Sequence, residues 1–227
     1  MDRLDVRLHR KINSILDKHL IFVRQARVSN KDFSIICNNC WGGYVYRRYG
    51  LPYLSPTIGL YLFADDYVKF CHNLKVYLAK ELAFISCTES RHREVLEMKK
   101  QTEVPIARLG DIEIIFLHYA TPEEAAEKWK RRTARINYSN LIFKFSQMNE
   151  CSEEHLMAFD QLDVAKKFCF VPAKSASMIN CGIRFRSADG NEIRDDTSEY
   201  SRYINLTKMI NAKSVCGKRM EGQWEKR

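Results

Sequence analysis

The sequence predicts an α/β protein, a Rossmann-like layered fold on a mostly parallel sheet, and three observations carry that expectation. Apolar runs rich in β-branched and aromatic residues recur at Phe33 to Cys37, Asp111 to Tyr119, Asn140 to Phe145 and Lys167 to Val171. Capped helical patterns separate the last three, so 111–171 reads β-α-β-α-β, for which parallel pairing with right-handed crossovers is expected. The 227 residues, 45% of them hydrophobic, suffice for one good-sized domain or two small ones, so two similar α/β lobes are an alternative.

Leu4, Leu8, Ile12, Ile15, Leu16 and Leu20 fall at helical steps with Lys, Arg and Asp between them, which predicts an amphipathic helix over 2–27 with a basic outer face. That face is either solvated or a membrane-surface contact. Phe33 to Cys37 reads as a buried strand, Asn38 to Gly43 as a glycine turn, and Tyr44 to Tyr49 as the start of a helix. Leu51 to Pro56 contains two prolines and reads as loop, and Thr57 to Phe63 as the start of a second strand or a buried helix. Asp65-Asp66 opens a helix to about Lys80, where an acidic pair suits the macrodipole. Leu82 to Glu103 reads as strand then polar turn. Thr121-Pro122-Glu123-Glu124 is a helix start, with a threonine N-cap, proline at the first position and acids in the first turn. Ser152 to Leu162 is a second capped helix, and one more is expected near Tyr203 to Ile210. The organisation is thus an N-terminal helix (1–29), an α/β core (30–172) and a peripheral C-terminal segment (173–227).

Composition narrows the function classes. Only 9 Gly and 5 Pro exclude collagen-like and low-complexity chains. A net charge of +9, from 37 basic and 28 acidic residues, points to an anionic partner without choosing among nucleic acid, headgroups, nucleotides and phosphorylated sugars. A nucleic-acid partner is not expected, because no known binding motif is present. Several of the eight cysteines, such as Cys37 and Cys169, lie inside apolar runs, and the set reads as reduced, buried thiols of a cytosolic protein. No apolar stretch reaches the ~18–20 residues of a membrane span, so the chain reads as cytoplasmic, with peripheral docking at the inner membrane face left open.

In open α/β sheets ligands bind beyond the carboxyl ends of strands. The Asn38-Asn39-Cys40-Trp41-Gly42-Gly43 turn follows a strand, and His118 ends another. Asn38, Asn39, Trp41, Gly42 and Gly43 are therefore expected to line a crevice, with His118 as general base and Cys40 as a candidate nucleophile paired with it. Asp111, about seven residues and ~23 Å away along the same strand, cannot pair with His118. Lys128, Arg131, Arg132 and Arg135 fall at i, i+3, i+4 and i+7, forming a stripe that is either a solvated face or, with Asn137, a clamp for a phosphate or diphosphate. Arg132, Arg135 and Asn137 are the expected substrate contacts. The spacing of Cys37 and Cys40 matches a thiol-disulfide motif, but glycines follow where the helix should lower the first thiol's pKa. No second ligand pair suits structural zinc, and P-loop, dinucleotide glycine and nucleophile-elbow patterns are absent, so no cofactor or metal is expected.

Asn38 to Gly43, Ser55-Pro56-Thr57-Ile58-Gly59-Leu60, Asp111 to Tyr119, Lys128 to Arg132 and Arg135-Ile136-Asn137 together resemble a bacterial family, a domain of unknown function often described as exopolysaccharide biosynthesis protein. The resemblance covers roughly 30–172. The family usually reads Tyr-Pro before the Asp111 strand, where this chain has Val104-Pro105. The resemblance implies bacterial surface-glycan assembly and a Rossmann-like fold, and carries no catalytic residues. The expected function is a transferase acting on a phosphorylated or nucleotide-linked sugar. The alternatives are an acyl-type transferase with a Cys40 nucleophile and a non-enzymatic accessory protein of a glycan-synthesis complex at the membrane.

Overall fold

A computed structural model of the chain describes residues 20–185, 188–189, 192–197 and 200–215. Of the N-terminal helix expected over 2–27, the described part is helical over 20–26, here α1; the rest lies outside the described residues. In chain order follow β1 (Ser34–Cys37), α2 (Trp41–Arg48), α3 (Ala64–His72), α4 (Leu74–Leu78), β2 (Ala83–Ile85), α5 (Arg93–Met98), β3 (Ile106–Leu109), β4 (Ile112–Ile115), α6 (Pro122–Thr133), β5 (Leu141–Ser146), α7 (Glu153–Asp160), β6 (Lys167–Val171), β7 (Gly182–Arg184), β8 (Ala188–Asp189), β9 (Glu192–Ile193) and α8 (Leu206–Asn211).

The architecture is mixed α/β. One sheet of four parallel strands has the order β1-β5-β6-β7. A second, of three antiparallel strands, has the order β2-β3-β4. Every residue of β1 and β6 is buried, because a parallel sheet is covered on both faces and its strands become near-continuous apolar runs. Ile36, Phe143, Phe145, Cys169 and Val171 face a core shared with α3, α4, α6, α7 and the inner face of the antiparallel sheet. Ile35, Cys37, Ile142, Phe168, Phe170 and Ile183 face the opposite core with α2 and the C-terminal segment. This alternation follows the two-residue period of a strand.

Several expectations are corrected. The strand expected over Asp111 to Tyr119 is short, and it pairs antiparallel with β3 across the Gly110-Asp111 turn instead of joining β5. Within 111–171 the parallel crossover is therefore β5-α7-β6, and the two sheets are not similar lobes. Thr57 to Phe63 is neither strand nor helix and makes a single antiparallel bridge, Tyr61 to Ile115. Gly42 and Gly43 lie inside the first turn of α2 rather than in a loop before it. A Cβ at Gly42 would sit 3.1 Å from Cys37 Sγ and 3.4 Å from Ile58 Cδ1, so the glycine lets α2 pack tightly on β1. The helix expected from Asp65 to Lys80 breaks at Asn73 into α3 and α4, and part of the expected polar turn before Glu103 is α5, with Leu96 buried beneath it. The segment expected to be peripheral instead supplies core: Ile183, Ile193, Tyr200, Ile204, Leu206, Met209, Ile210 and Val215 are all buried.

The helix starts follow their chemistry. Thr121 Oγ1 accepts the Glu124 N–H at 3.2 Å, with Pro122 in the first turn of α6. Ser152 caps α7 in the same way. Each such cap contributes about 1 kcal/mol.

Candidate functional site

A cavity of about 300 Å³ opens between α2, the loop that follows it, the loop after β4 and α6. Cys40, Gly43, Tyr44 and Arg47 line it from the head and first turns of α2, Ile58 and Gly59 from the 57–63 segment, His118 and Tyr119 from the loop after β4, and Lys128 and Arg132 from α6. Tyr53 completes the wall, and among the described residues no Asp or Glu lines it. Two distant stretches expected to converge, Asn38 to Gly43 and the one ending in His118, thus meet here, although they belong to different sheets.

Arg132 is the best-fixed cation of the site. Only 7% exposed, it donates through Nη1 to the Ile58 carbonyl at 3.1 Å and to the Tyr119 hydroxyl, and its guanidinium lies 5.0 Å from the Tyr53 ring centroid. Tyr119 in turn donates to the Ile58 carbonyl. Among the described residues its hydrogen-bond partners are neutral, and the nearby Glu124 carboxylate, whose pKa is lowered first by the Lys128 hydrogen bond and also by Arg132, acts on it only through space. Lys128 pairs with Glu124 one turn back, and Arg47 stacks 4.4 Å over Tyr44. Gly59 has φ +75°, and a Cβ there would lie 3.2 Å from the Tyr119 ring. Its carbonyl accepts the His118 backbone N–H at 2.9 Å, which fixes the loop that carries the imidazole. The His118 side chain is exposed at the cavity wall.

The other expected site residues divide. Cys40 lines the cavity, but burial is the main cause that pushes its thiol up to about 12, and its Sγ faces the Leu60 carbonyl at 3.7 Å. Such a thiol is a poor nucleophile at neutral pH. Of the expected substrate contacts, Gly43 and Arg132 line the cavity. Asn38 is fully buried and bridges to β5 in both directions: its Nδ2 donates to the Ser146 carbonyl at 3.0 Å and its Oδ1 accepts the Ser146 N–H at 3.0 Å. Trp41 is buried edge-on against Phe168, Phe170 and Tyr200, and Gly42 serves packing. Asn137 ties the loop before β5 to the start of β1, its Nδ2 donating to the Asp32 carbonyl at 3.1 Å. Arg135 is exposed and outside the cavity lining. The expected cationic stripe splits: Lys128 and Arg132 face the cavity, while Arg131 pairs outward with Glu127 at 2.6 Å.

Asn39 leads to what sequence reasoning missed. Its Nδ2 lies 3.0 Å from both carboxylate oxygens of Asp196, and its Oδ1 accepts from Lys144 Nζ at 3.1 Å. Lys144 also pairs with Asp196, and Ser146 Oγ donates to the same carboxylate. Both charged side chains are essentially inaccessible. Lys144 further lies 5.7 Å from the Trp41 ring and 5.5 Å from that of Phe170. This buried network lies behind the head of α2 and ties the C-terminal segment to the carboxyl edge of the parallel sheet. Lysine in the apolar run of β5 was the one sequence signal, and its partner lies 52 residues away.

The seven described cysteines carry free thiols; Cys216 lies outside the described residues. Among the described residues no group of three or more His, Cys, Asp or Glu is placed to hold a metal ion, and no helix is long and apolar enough to cross a membrane.

The family model for a domain of unknown function (DUF1919) matches residues 11–214. An uncharacterized protein of Haemophilus influenzae is 30% identical over 164 residues, a match spanning 70% of this chain and 73% of that protein. The family match takes in both sheets and every residue that lines the cavity, and the chain is therefore a member of the DUF1919 family.

Proposed function

We propose that this protein is a group transferase of bacterial surface polysaccharide biosynthesis, acting on a phosphorylated or nucleotide-linked sugar. One observation carries the reading: three cations, Arg47, Lys128 and Arg132, line one cavity that has no Asp or Glu among its described lining residues, the carboxylate paired with Lys128 being Glu124 outside that lining. A fixed guanidinium facing such a cavity suits a phosphate or diphosphate, since planar paired donors match phosphate oxygens. Tyr44, Tyr53 and Tyr119 offer ring faces for a sugar or base, and the volume is at the lower end of ligand pockets, ~300–1,000 Å³.

The roles follow from position. Arg132 orients the phosphate, and Arg47 and Lys128 stabilise the negative charge that grows on it as the bond to the sugar breaks. His118 accepts the proton of the attacking acceptor hydroxyl, a task for which imidazole is suited near neutrality. Cys40 is a wall residue in this scheme. Its buried thiol speaks against the acyl-transfer alternative.

The test is a thermal-shift panel of nucleotide-diphosphate sugars and sugar phosphates on the purified chain. A ligand that binds the folded form raises its melting temperature, so at least one is expected to do so. Arg47→Ala and Lys128→Ala remove charge-assisted contacts, contributing about 1.5–3 kcal/mol each, and are expected to weaken that ligand at least tenfold. No shift across the panel, or a shift indifferent to both substitutions, would overturn the reading.

A further inference from the structure

At the amino edge of the parallel sheet lies a larger cavity of about 520 Å³. Its walls come from the segments before β1, β5 and β6 and from the end of α8, and among the described residues no Asp or Glu lines it. Lys166 reaches this cavity with only 7% of its surface exposed. Its ammonium donates to Asn140 Oδ1 at 2.9 Å and to the Ile210 carbonyl at 3.0 Å, both neutral. An ammonium has three N–H donors, so among the described residues one is left without an acceptor. A buried cation whose described partners are two neutral carbonyl-type acceptors is only partly compensated, and burial accordingly depresses the Lys166 pKa.

The rim is built rather than loose. Asn211 Oδ1 accepts the Ser29 N–H at 2.9 Å while its Nδ2 donates to the Arg27 carbonyl at 2.7 Å. Asn140 Nδ2 donates to the Asp32 carbonyl at 2.8 Å. These amides hold the walls together. Lys213 adds a second cation at the rim, and Leu141, Phe143 and Val164 give the cavity an apolar side.

We infer that this cavity is a second, separate anion site, in which Lys166 and Lys213 hold the phosphate or carboxylate of a small sugar-sized effector. The two cavities share no lining residue. The inference stands independently of the transferase reading.

The experiment is a backbone-amide NMR titration of the full chain with inorganic phosphate, glucuronate and glucose in turn. Saturable shifts confined to 139–141, 166 and 211–213 are expected with phosphate, glucuronate or both, and whichever anion acts identifies the headgroup. Glucose is expected to leave these amides unmoved. Lys166→Met is expected to weaken the anion at least tenfold, and Lys213→Ala, at the rim, at least threefold. Silence of these amides toward both anions, equal shifts with glucose, or undiminished binding by a folded Lys166→Met would overturn the inference. If Lys166→Met does not fold, undiminished binding by Lys213→Ala takes its place. Failure here leaves the amides of Gly43 and Gly59 free to report separately on the first cavity.

Discussion

Asp196→Ala is expected to be the most damaging single change in the C-terminal segment. The carboxylate is 1% exposed and receives Lys144, Ser146 Oγ and Asn39 Nδ2. Removing it strands the Lys144 cation between Trp41 and Phe170, where water cannot replace the lost partner. Breaking a buried pair in this way costs about 3–5 kcal/mol. For a chain of this size each kcal/mol lowers the melting temperature by about 2–4 °C, so a fall of about 6–20 °C is expected. Thermal unfolding followed by circular dichroism measures it. A Lys144→Met/Asp196→Leu double variant removes both charges together and is expected to recover most of the loss, because the two sites share one interaction. A single variant melting within about 3 °C of wild type, well under the expected fall, would refute the reasoning. So would a double variant that loses the sum of its two parts.

Two further predictions concern titration. Cys40 is expected to resist alkylation: its thiol is pushed from 9.0 to about 12, which leaves about a thousandfold less thiolate than a free cysteine at pH 8. Peptide mapping after iodoacetamide treatment checks this, and modification at the rate of a free thiol would contradict it. His92 packs on Phe63 with ring centroids 3.6 Å apart and sets Nε2 3.0 Å from Asp66 Oδ2, and burial, reinforced by Arg91, depresses its pKa below 6.5. The unfolded chain therefore binds the proton more readily, so this contribution to stability is complete above pH 6.5 and is lost as the pH falls toward the folded value. Melting curves of wild type and His92→Gln from pH 7.5 to 5 should differ in slope below that point, and parallel curves would sink the argument.

Much of this was legible in the sequence because it rests on local chemistry. The threonine and serine caps place α6 and α7, and the unbroken apolar runs of β1, β5 and β6 mark strands covered on both faces. The partner of β4 was not legible. All four of its residues are buried, so its run resembles a central parallel strand, and periodicity does not distinguish the two. The Gly110-Asp111 pair was the available hairpin cue, but Val104 to Leu109 before it carries Pro105 and Arg108, which weaken its strand pattern. Asn38 and Asn39 read as ligand-facing because they are polar residues at a strand end. In the fold one satisfies the backbone of β5 and the other a buried carboxylate, needs set by residues more than a hundred positions away. Lys144 was hidden for the same reason: nothing within one strand announces that an interior cation has a partner from the far end of the chain.

The meeting of Cys40 and His118 across one cavity has its cause in the segment over 57–63, the part with the least regular structure between two sheets. Thr57 Oγ1 donates to the Ile35 carbonyl of β1 at 3.2 Å, and the Leu62 N–H to the Asn38 carbonyl at 3.1 Å. One side-chain and one backbone hydrogen bond thereby fasten the segment along the parallel sheet. Tyr61 exchanges both backbone hydrogen bonds with Ile115 at 2.9 Å, and the Gly59 carbonyl takes the His118 N–H, which fastens the same segment to the antiparallel sheet. The chain alternates its attachments within seven residues, and the left-handed conformation at Gly59 lets it turn from one sheet to the other. A parallel crossover alone would have delivered His118 to the edge of the β1 sheet. Here the loop after β4 is carried there by the stitch, and α6, which follows that loop directly, brings Lys128 and Arg132 with it. The cationic cavity is thus a property of the joint between two sheets, and its geometry depends on the 57–63 segment as much as on any residue that faces the ligand.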